Sequence, residues 1–386
     1  MNKKKYPYAK HKIFIEDKKI LNELLESQFL TQGPRTKEFE KKLSKKVNSK
    51  YAVAVNSATS ALHLSCLSLG LKKNDIVWTS PNSFVASSNC ALLCGCNIDF
   101  VDIDLDTFNI SIERLKEKLE NARKYHKLPK VIIIVHHGGF PINLKEIHKL
   151  GKKYNFKIIE DAAHAFGAKY KNNYIGNSKF SNITVFSFHP IKSITTAEGG
   201  AILTNDKKIY EKAILLREHG INRDYRKFKF KDKFNWQYEQ IELGFNYRMA
   251  DFNSALGISQ LKKLNLIIKK RKQLVNYYKR KLKNLDVKFQ KTLVNSEPSY
   301  HLFTIILANK IQRNKSINFL RKYNIFSSIV YPPIYLNPYY VKKLGFKKKY
   351  CLNSEVFANT SLTLPLYFDL TKNDIDFIVS ILKKTL

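Results

Sequence analysis

The sequence contains no apolar run of the roughly 18–20 residues that a membrane span needs. The stretch Val131–Val135 is only strand-sized. The opening residues, MNKKKYPYAKHKIFIEDKK, are basic but carry no apolar core, so no secretory signal is expected. A cytoplasmic chain with no membrane partner is the expectation. Cysteine is scarce, with five in 386 residues. Cys90, Cys94 and Cys96 cluster, yet their spacing matches neither a C-x-x-C pair nor a zinc knuckle. In CALLCGCNIDF they read as buried structural thiols, because a free cysteine behaves as a small hydrophobe. No metal site is expected. None of the 14 glycines forms G-x-G-x-x-G, the turn a nicotinamide-dependent oxidoreductase requires. Acidic residues are few, 32 against 68 basic ones, for a net charge of +36. The surplus is mostly lysine, spread through every segment. It fits solvated faces or an anionic partner, either a small substrate or nucleic acid. The stretch Arg223–Lys233 is the segment that most suggests nucleic acid.

Hydrophobic residues make up 44% of the chain, enough for a packed core. The length suggests two domains. Seven short, mostly β-branched stretches read as strands: YAVAVN, DIVWTS, IDFVDID, KVIIIVHH, FKIIED, ITVFSF and GAILTN. Helical patterns fall between them at Ala58–Leu69, Phe84–Leu93, Ile112–Tyr125 and Leu144–Tyr154. This alternation predicts a mostly parallel sheet covered on both faces. Ligands then bind at the carboxyl ends of the strands. After a helix near Lys208–His219 comes INRDYRKFKFKDKFNWQYEQ, which has no period and reads as a long loop. A long helical pattern, MADFNSALGISQLKKLNLIIKKRKQLVNYYKRKLKNL, leads into a small α/β region.

Three segments carry chemistry. In IIEDAAHAFGA, a strand delivers Asp161 to its carboxyl end, with His164 three residues on. An acid there can hold a ribose, a metal or a cationic ring nitrogen, or simply sit in a turn. In VFSFHPIKSITTAEGGAILTN, Ser187 and Lys192 lie between two apolar strands. A lysine so placed can capture an aldehyde once burial lowers its proton affinity. It can equally be a loop lysine. In AVAVNSATSALHL, Asn56-Ser57-Ala58-Thr59 opens a helix. Such a start offers free amides and a positive dipole end to a phosphate, or needs only ordinary capping by Ser57 or Thr59. Together the three make the parts list of a pyridoxal phosphate site: an anchored phosphate, an aldehyde-capturing lysine and an acid for the pyridine nitrogen. A zinc hydrolase using His136, His137 and Asp161 is awkward, since adjacent strand residues face opposite ways.

Beyond these segments, FLTQGPRTKEFEKKL, LREHGI, LGFNYRMADFNSALGISQLKKL and SLTLPLYFDLT follow in order over nearly the whole chain. The sequence resembles the DegT/DnrJ/EryC1/StrS family of nucleotide-sugar aminotransferases. Within it, NSATSAL, VFSFHPIKSITTAEGG, YEQIELGFNYRM and SYHLF are most similar to the pseudaminic acid branch. The resemblance implies pyridoxal phosphate fold type I, like aspartate aminotransferase. A large cofactor-binding domain would cover residues 1–255, and a spine helix with a small C-terminal domain residues 256–386. It implies pyridoxal 5'-phosphate as cofactor, L-glutamate as amino donor and a UDP-linked 4-keto sugar as acceptor, with no nucleic acid partner. Lys192 matches the lysine that joins the cofactor, and Asp161 matches the partner of the pyridinium nitrogen. Ser187, Thr59 and the Ala58 amide match the phosphate ligands. Phe84 matches an aromatic stacked on the ring, and His164 a position beside it. Asn246 matches an asparagine that reaches the neighbouring subunit's phosphate, which implies a homodimer with shared sites. Many members read S-G-T where this chain has Ser57-Ala58-Thr59, and His-x-x-Gly-x-Pro where residues 136–141 read HHGGFP. Members that dehydrate sugars carry histidine in place of the lysine, and Lys192 argues against that chemistry.

Overall fold

A computed structural model describes residues 4–224, 226, 228–229 and 236–386. All seven strand-like stretches form one sheet: β1 (Tyr51–Val55), β2 (Ile76–Thr79), β3 (Asn97–Phe100), β4 (Val131–Val135), β5 (Lys157–Asp161), β6 (Ile183–Ser187) and β7 (Gly200–Thr204). Their spatial order is β1-β7-β6-β5-β4-β2-β3. Strands β2 to β6 pair in parallel, and β7 runs antiparallel to both β1 and β6. The reversal has a local cause. Parallel neighbours need a crossover, usually helical, and residues 188–199 between β6 and β7 form a loop without a helix. That loop carries Lys192.

The sheet is buried on both faces. Alternate residues of β4 feed opposite cores: Ile132 and Ile134 join one, Val131 and Ile133 the other. Helices α1 (Ile15–Leu25), α2 (Pro34–Val47), α3 (Ala58–Ser68), α4 (Ala86–Leu93), α5 (Ile112–Lys124), α6 (Leu144–Tyr154) and α7 (Lys207–Arg217) precede the 31-residue α8 (Asp251–Lys281). Leu115, Ile147 and Leu264, from α5, α6 and α8, line the first core. Leu62, Cys90 and Leu216, from α3, α4 and α7, line the second. Further along α8, Leu274, Val275 and Tyr278 enter a third core, shared with the antiparallel strands Phe303–Ile306 and Ser361–Leu364. One helix thus contributes to two separate cores. The N-terminal segment lies on the small layer built around this third core: Tyr6–Pro7 pairs with Ile325–Phe326, and Leu366 N–H donates to Tyr8 O at 2.9 Å.

Three details differ from the sequence pattern. Helix α4 starts at Ala86, leaving Phe84 in the loop before it. Cys90 and Cys96 are buried, but Cys94 is only half-buried because it caps the C-terminal end of α4. In the basic aromatic stretch, Ile221–Asn222 pairs with Glu239–Gln240. Residues 225, 227 and 230–235, which include much of Arg223–Lys233, lie outside the described residues.

Gly257 of α8 marks a close approach to α2. A Cβ there would sit 2.6 Å from Phe39 Cζ and 2.9 Å from Thr196 Cγ2. Phe39 is fully buried and packs edge-on against Phe188 at 5.3 Å, so its ring has little room to retreat. Helix propensity favours alanine over glycine by about 1 kcal/mol, whereas overpacking costs about 1–3 kcal/mol. Gly257→Ala is therefore expected to be neutral to destabilising and Gly257→Val clearly destabilising. A melting temperature that rises in both variants would contradict the close packing.

Candidate active site

The carboxyl ends of β4, β5 and β6 and the start of α3 enclose a cavity of about 410 Å³. Ala58, Thr59, Phe84, Asp161, His164, Ser187 and Lys192 all line it. These residues span 134 positions in sequence (192 − 58) and meet because the strands that carry them end on one side of the sheet.

At one end of the cavity, Ser57 caps α3, and its Oγ accepts from Ser60 N–H at 3.1 Å. Ala61 N–H reaches back to Ser57 O. The amides of Ala58 and Thr59 precede the first intrahelical bond and have no carbonyl to donate to. They point an anion site at the cavity, reinforced by the helix dipole. Gly200 makes the approach possible: a Cβ there would lie 2.6 Å from Ala58 N. The Ser187 hydroxyl, at the end of β6, faces the same cavity.

At the end of β5, Asp161 is held from two sides. Ser87 Oγ donates to Oδ2 at 2.6 Å, and Ala163 N–H to Oδ1 at 3.1 Å. Lys192 is half-buried in the β6–β7 loop, its N–H bonded to His189 O at 2.9 Å. Burial pulls its ammonium down to about 8; Asp161 opposes that pull and Arg271 adds to it. A lysine poised there loses its proton readily enough to act as a nucleophile and base.

His164 stands between these groups and the small layer. Gly138 N–H donates to its Nδ1 at 3.3 Å, so Nδ1 must accept and the ring proton sits on Nε2. Burial, followed by Lys192 and His137, holds His164 well below the usual histidine range, so it is neutral. Its Nε2 faces the Tyr331 hydroxyl at 3.5 Å. The turn behind it needs Gly138 and Gly139 at φ +64° and +86°, and a Cβ on Gly139 would meet His164 O at 2.6 Å. That explains the second glycine in HHGGFP. His136 uses both ring nitrogens elsewhere: Nδ1 accepts from Ile142 N–H, and Nε2–H donates to Glu160 at 2.9 Å. His137 is buried, pushed down to about 4.

Phe84 is 56% exposed at the rim, 6.1 Å from the Tyr331 ring. Asn246 is exposed and lies outside the cavity, bridging Glu218 and accepting from Asn56 Nδ2 at 3.5 Å through its carbonyl. Sequence reasoning missed Ser87, Tyr8 and Tyr331. Tyr8 and Tyr331 line the cavity from the N-terminal segment and from the small layer. Only Ser87 left a trace, a serine four residues beyond Ser83 in a helix start; the two tyrosines arrive by tertiary packing.

The sequence model of the DegT/DnrJ/EryC1/StrS aminotransferase family matches residues 12–383. The chain belongs to this family. A Campylobacter jejuni UDP-4-amino-4,6-dideoxy-N-acetyl-beta-L-altrosamine transaminase is 36% identical over 375 residues, covering 96% of this chain and 95% of that one. Among solved structures, Helicobacter pylori PseC, an aminotransferase of pseudaminic acid biosynthesis, superposes with a TM-score of 0.89 at 33% identity, covering 99% of each chain. The PLP-form of Spr1654, a sugar aminotransferase from Streptococcus pneumoniae, superposes with a TM-score of 0.88 at 26% identity, covering 99% of this chain and 100% of that one. The chain is thus an aminotransferase of the pyridoxal phosphate fold. Its cavity fits that cofactor: free helix-start amides for a phosphate, an anchored carboxylate and a lysine of lowered proton affinity between them.

Proposed function

We propose that this enzyme moves the amino group of L-glutamate to C4 of UDP-2-acetamido-2,6-dideoxy-β-L-arabino-hex-4-ulose. The product is UDP-4-amino-4,6-dideoxy-N-acetyl-β-L-altrosamine, on the route to pseudaminic acid. The observation that carries this reading is the convergence of Lys192, Asp161, Ser187 and the start of α3 on one cavity, in a chain similar to the altrosamine transaminases over nearly its full length.

Pyridoxal 5'-phosphate supplies an aldehyde and an electron sink. The amides of Ala58 and Thr59 and the hydroxyls of Thr59 and Ser187 would bind its phosphate. Asp161, fixed by Ser87 and the Ala163 amide, would hold a proton on the pyridine nitrogen. Phe84 would cover one face of the ring and neutral His164 would stand beside it. Lys192 Nζ would hold the cofactor's aldehyde carbon, and as a free amine it would accept the α-proton of the amino donor. In the second half-reaction the same amine would deliver a proton to C4 of the sugar. The basic surplus gives the doubly charged sugar diphosphate a favourable field.

We further propose a cytoplasmic homodimer with shared sites, each chain divided into residues 1–255 and 256–386, a boundary within the first turns of α8. Asn246 is exposed beside the apolar residues Tyr238, Ile241 and Leu243, themselves half or more exposed, which suits burial against a second copy. Asn246 would then reach the partner's phosphate. Mixing Lys192→Ala with Asn246→Ala, each inactive alone, under conditions of proven subunit exchange should restore part of the activity, because one site of each heterodimer carries neither lesion. No recovery would reject the shared site. The reaction itself is tested by incubating the protein with L-glutamate and a panel of UDP- and dTDP-4-keto sugars. Mass spectrometry and NMR identify the product, and turnover of a dTDP sugar alone would overturn the substrate assignment.

A further inference from the structure

Arg271 of α8 is a buried cation that the reaction above does not use. It is 2% exposed and among the largest fully buried side chains of the protein. Its Nη1 donates to two carbonyls, His301 O at 2.9 Å and Tyr300 O at 3.2 Å, and its Nε has no partner. Among the described residues, no carboxylate pairs with it, whereas the buried Arg217 is paired with Glu40 and Glu218. A buried charge without a counter-ion is costly, so its retention calls for a physical reason.

Its position supplies one. Arg271 and Lys192 line the same small enclosed space, of about 10 Å³, together with Gln260 and Thr195. That volume is no larger than a water molecule requires, so the space is too small to be a ligand site. What the arginine can offer Lys192 is its charge. The other groups around Lys192 are Asp161 from β5, with His164 following it, and His189 and Glu198 from its own loop. Tyr331 and His301 face it from the small layer, and Tyr8, Lys10, His11 and Lys12 from the N-terminal segment. Of these, His164 and His301 are held neutral by burial. Asp161 attracts a proton to Lys192, and Arg271 acts with burial against that attraction.

The same side chain also fixes the backbone of His301, whose ring packs on His164 at 4.3 Å. We propose that Arg271 is a positioning residue for Lys192, its buried charge offsetting Asp161 so that the lysine amine is unprotonated when it must accept a proton. A neighbouring cation is a general means of activating a catalytic lysine. The inference rests on Lys192 being the lysine that takes the cofactor.

The test reads the amine directly, without turnover. Full-length protein freed of cofactor is labelled with trace acetic anhydride across a pH series, and acylation of Lys192 is followed by peptide mass spectrometry. Arg271→Met removes the charge and the hydrogen bonds. Arg271→Gln removes the charge but can still donate to the carbonyls, and Arg271→Lys keeps the charge. The midpoint for Lys192 is expected to rise by about one pH unit in both neutral variants, a roughly 10-fold slower acylation at pH 7, and to stay near wild type in Arg271→Lys. Thermal melts establish which variants fold; if Arg271→Met does not, the comparison of Gln with Lys decides. Equal midpoints in wild type and a folded neutral variant would overturn the proposal and leave Arg271 a bracket for the 300–301 backbone. Borohydride mapping of the loaded wild-type protein reports separately whether Lys192 is the cofactor lysine.

Discussion

Lys192→Ala abolishes transamination and removes the visible absorbance of the bound cofactor. The expected loss is about 10⁴-fold or more, since the variant lacks both the covalent anchor and the proton carrier. The geometry leaves no substitute. Among the described residues, Lys192 is the only lysine lining the large cavity, and two lysines of the adjoining small space, Lys10 and Lys12, belong to the N-terminal segment. Lys12 is also paired with Asp369 at 2.8 Å. Alanine at 192 opens space without disturbing a strand, because the residue sits in the β6–β7 loop. Borohydride reduction of wild type followed by peptide mapping should label this residue, and a label on any other lysine would sink the assignment.

Asp161→Asn is expected to bind cofactor but lose most activity. Asparagine is nearly isosteric and can still accept from the Ala163 amide, so the turn survives. It cannot hold a proton on the pyridine nitrogen as a carboxylate does. A charge-assisted hydrogen bond is worth about 1.5–3 kcal/mol, or roughly 10- to 150-fold in rate. The amide NH₂ would also face the Ser87 hydroxyl, which now donates at 2.6 Å. Ser87 must then turn its proton away, and Ser87→Ala should cost far less than Asp161→Asn. Steady-state rates at saturating cofactor check both. Near wild-type turnover in Asp161→Asn with cofactor bound would contradict the role.

Asn246 is the instructive case among the predicted site residues. Seven of the eight line one cavity and Asn246 does not, so its proposed role depends on a second copy of the chain. Its exposure and the apolar residues around it are the physical reason to look for that copy.

The sequence alone determined the sheet and the polarity of the site. β-branched runs of strand length, separated by amphipathic helices, satisfy their backbone and bury both faces in a mostly parallel sheet, which brings Asp161 and Ser187 to the carboxyl ends of their strands. The helix start at Ser57–Thr59 was legible for the same reason: a hydroxyl cap and free amides are local properties of four consecutive residues. Tertiary structure decided what local chemistry cannot. The direction of β7 follows from the helix-free loop before it. The neutral Nε2 tautomer of His164 is set by an amide 26 positions away, that of Gly138. Tyr8, Tyr331 and Arg271 reach the site from the N-terminal segment, the small layer and the long helix, and each is an ordinary residue in its own sequence neighbourhood. Burial and the field of distant charges give Lys192 its reactivity, and both depend on the whole chain being folded around it.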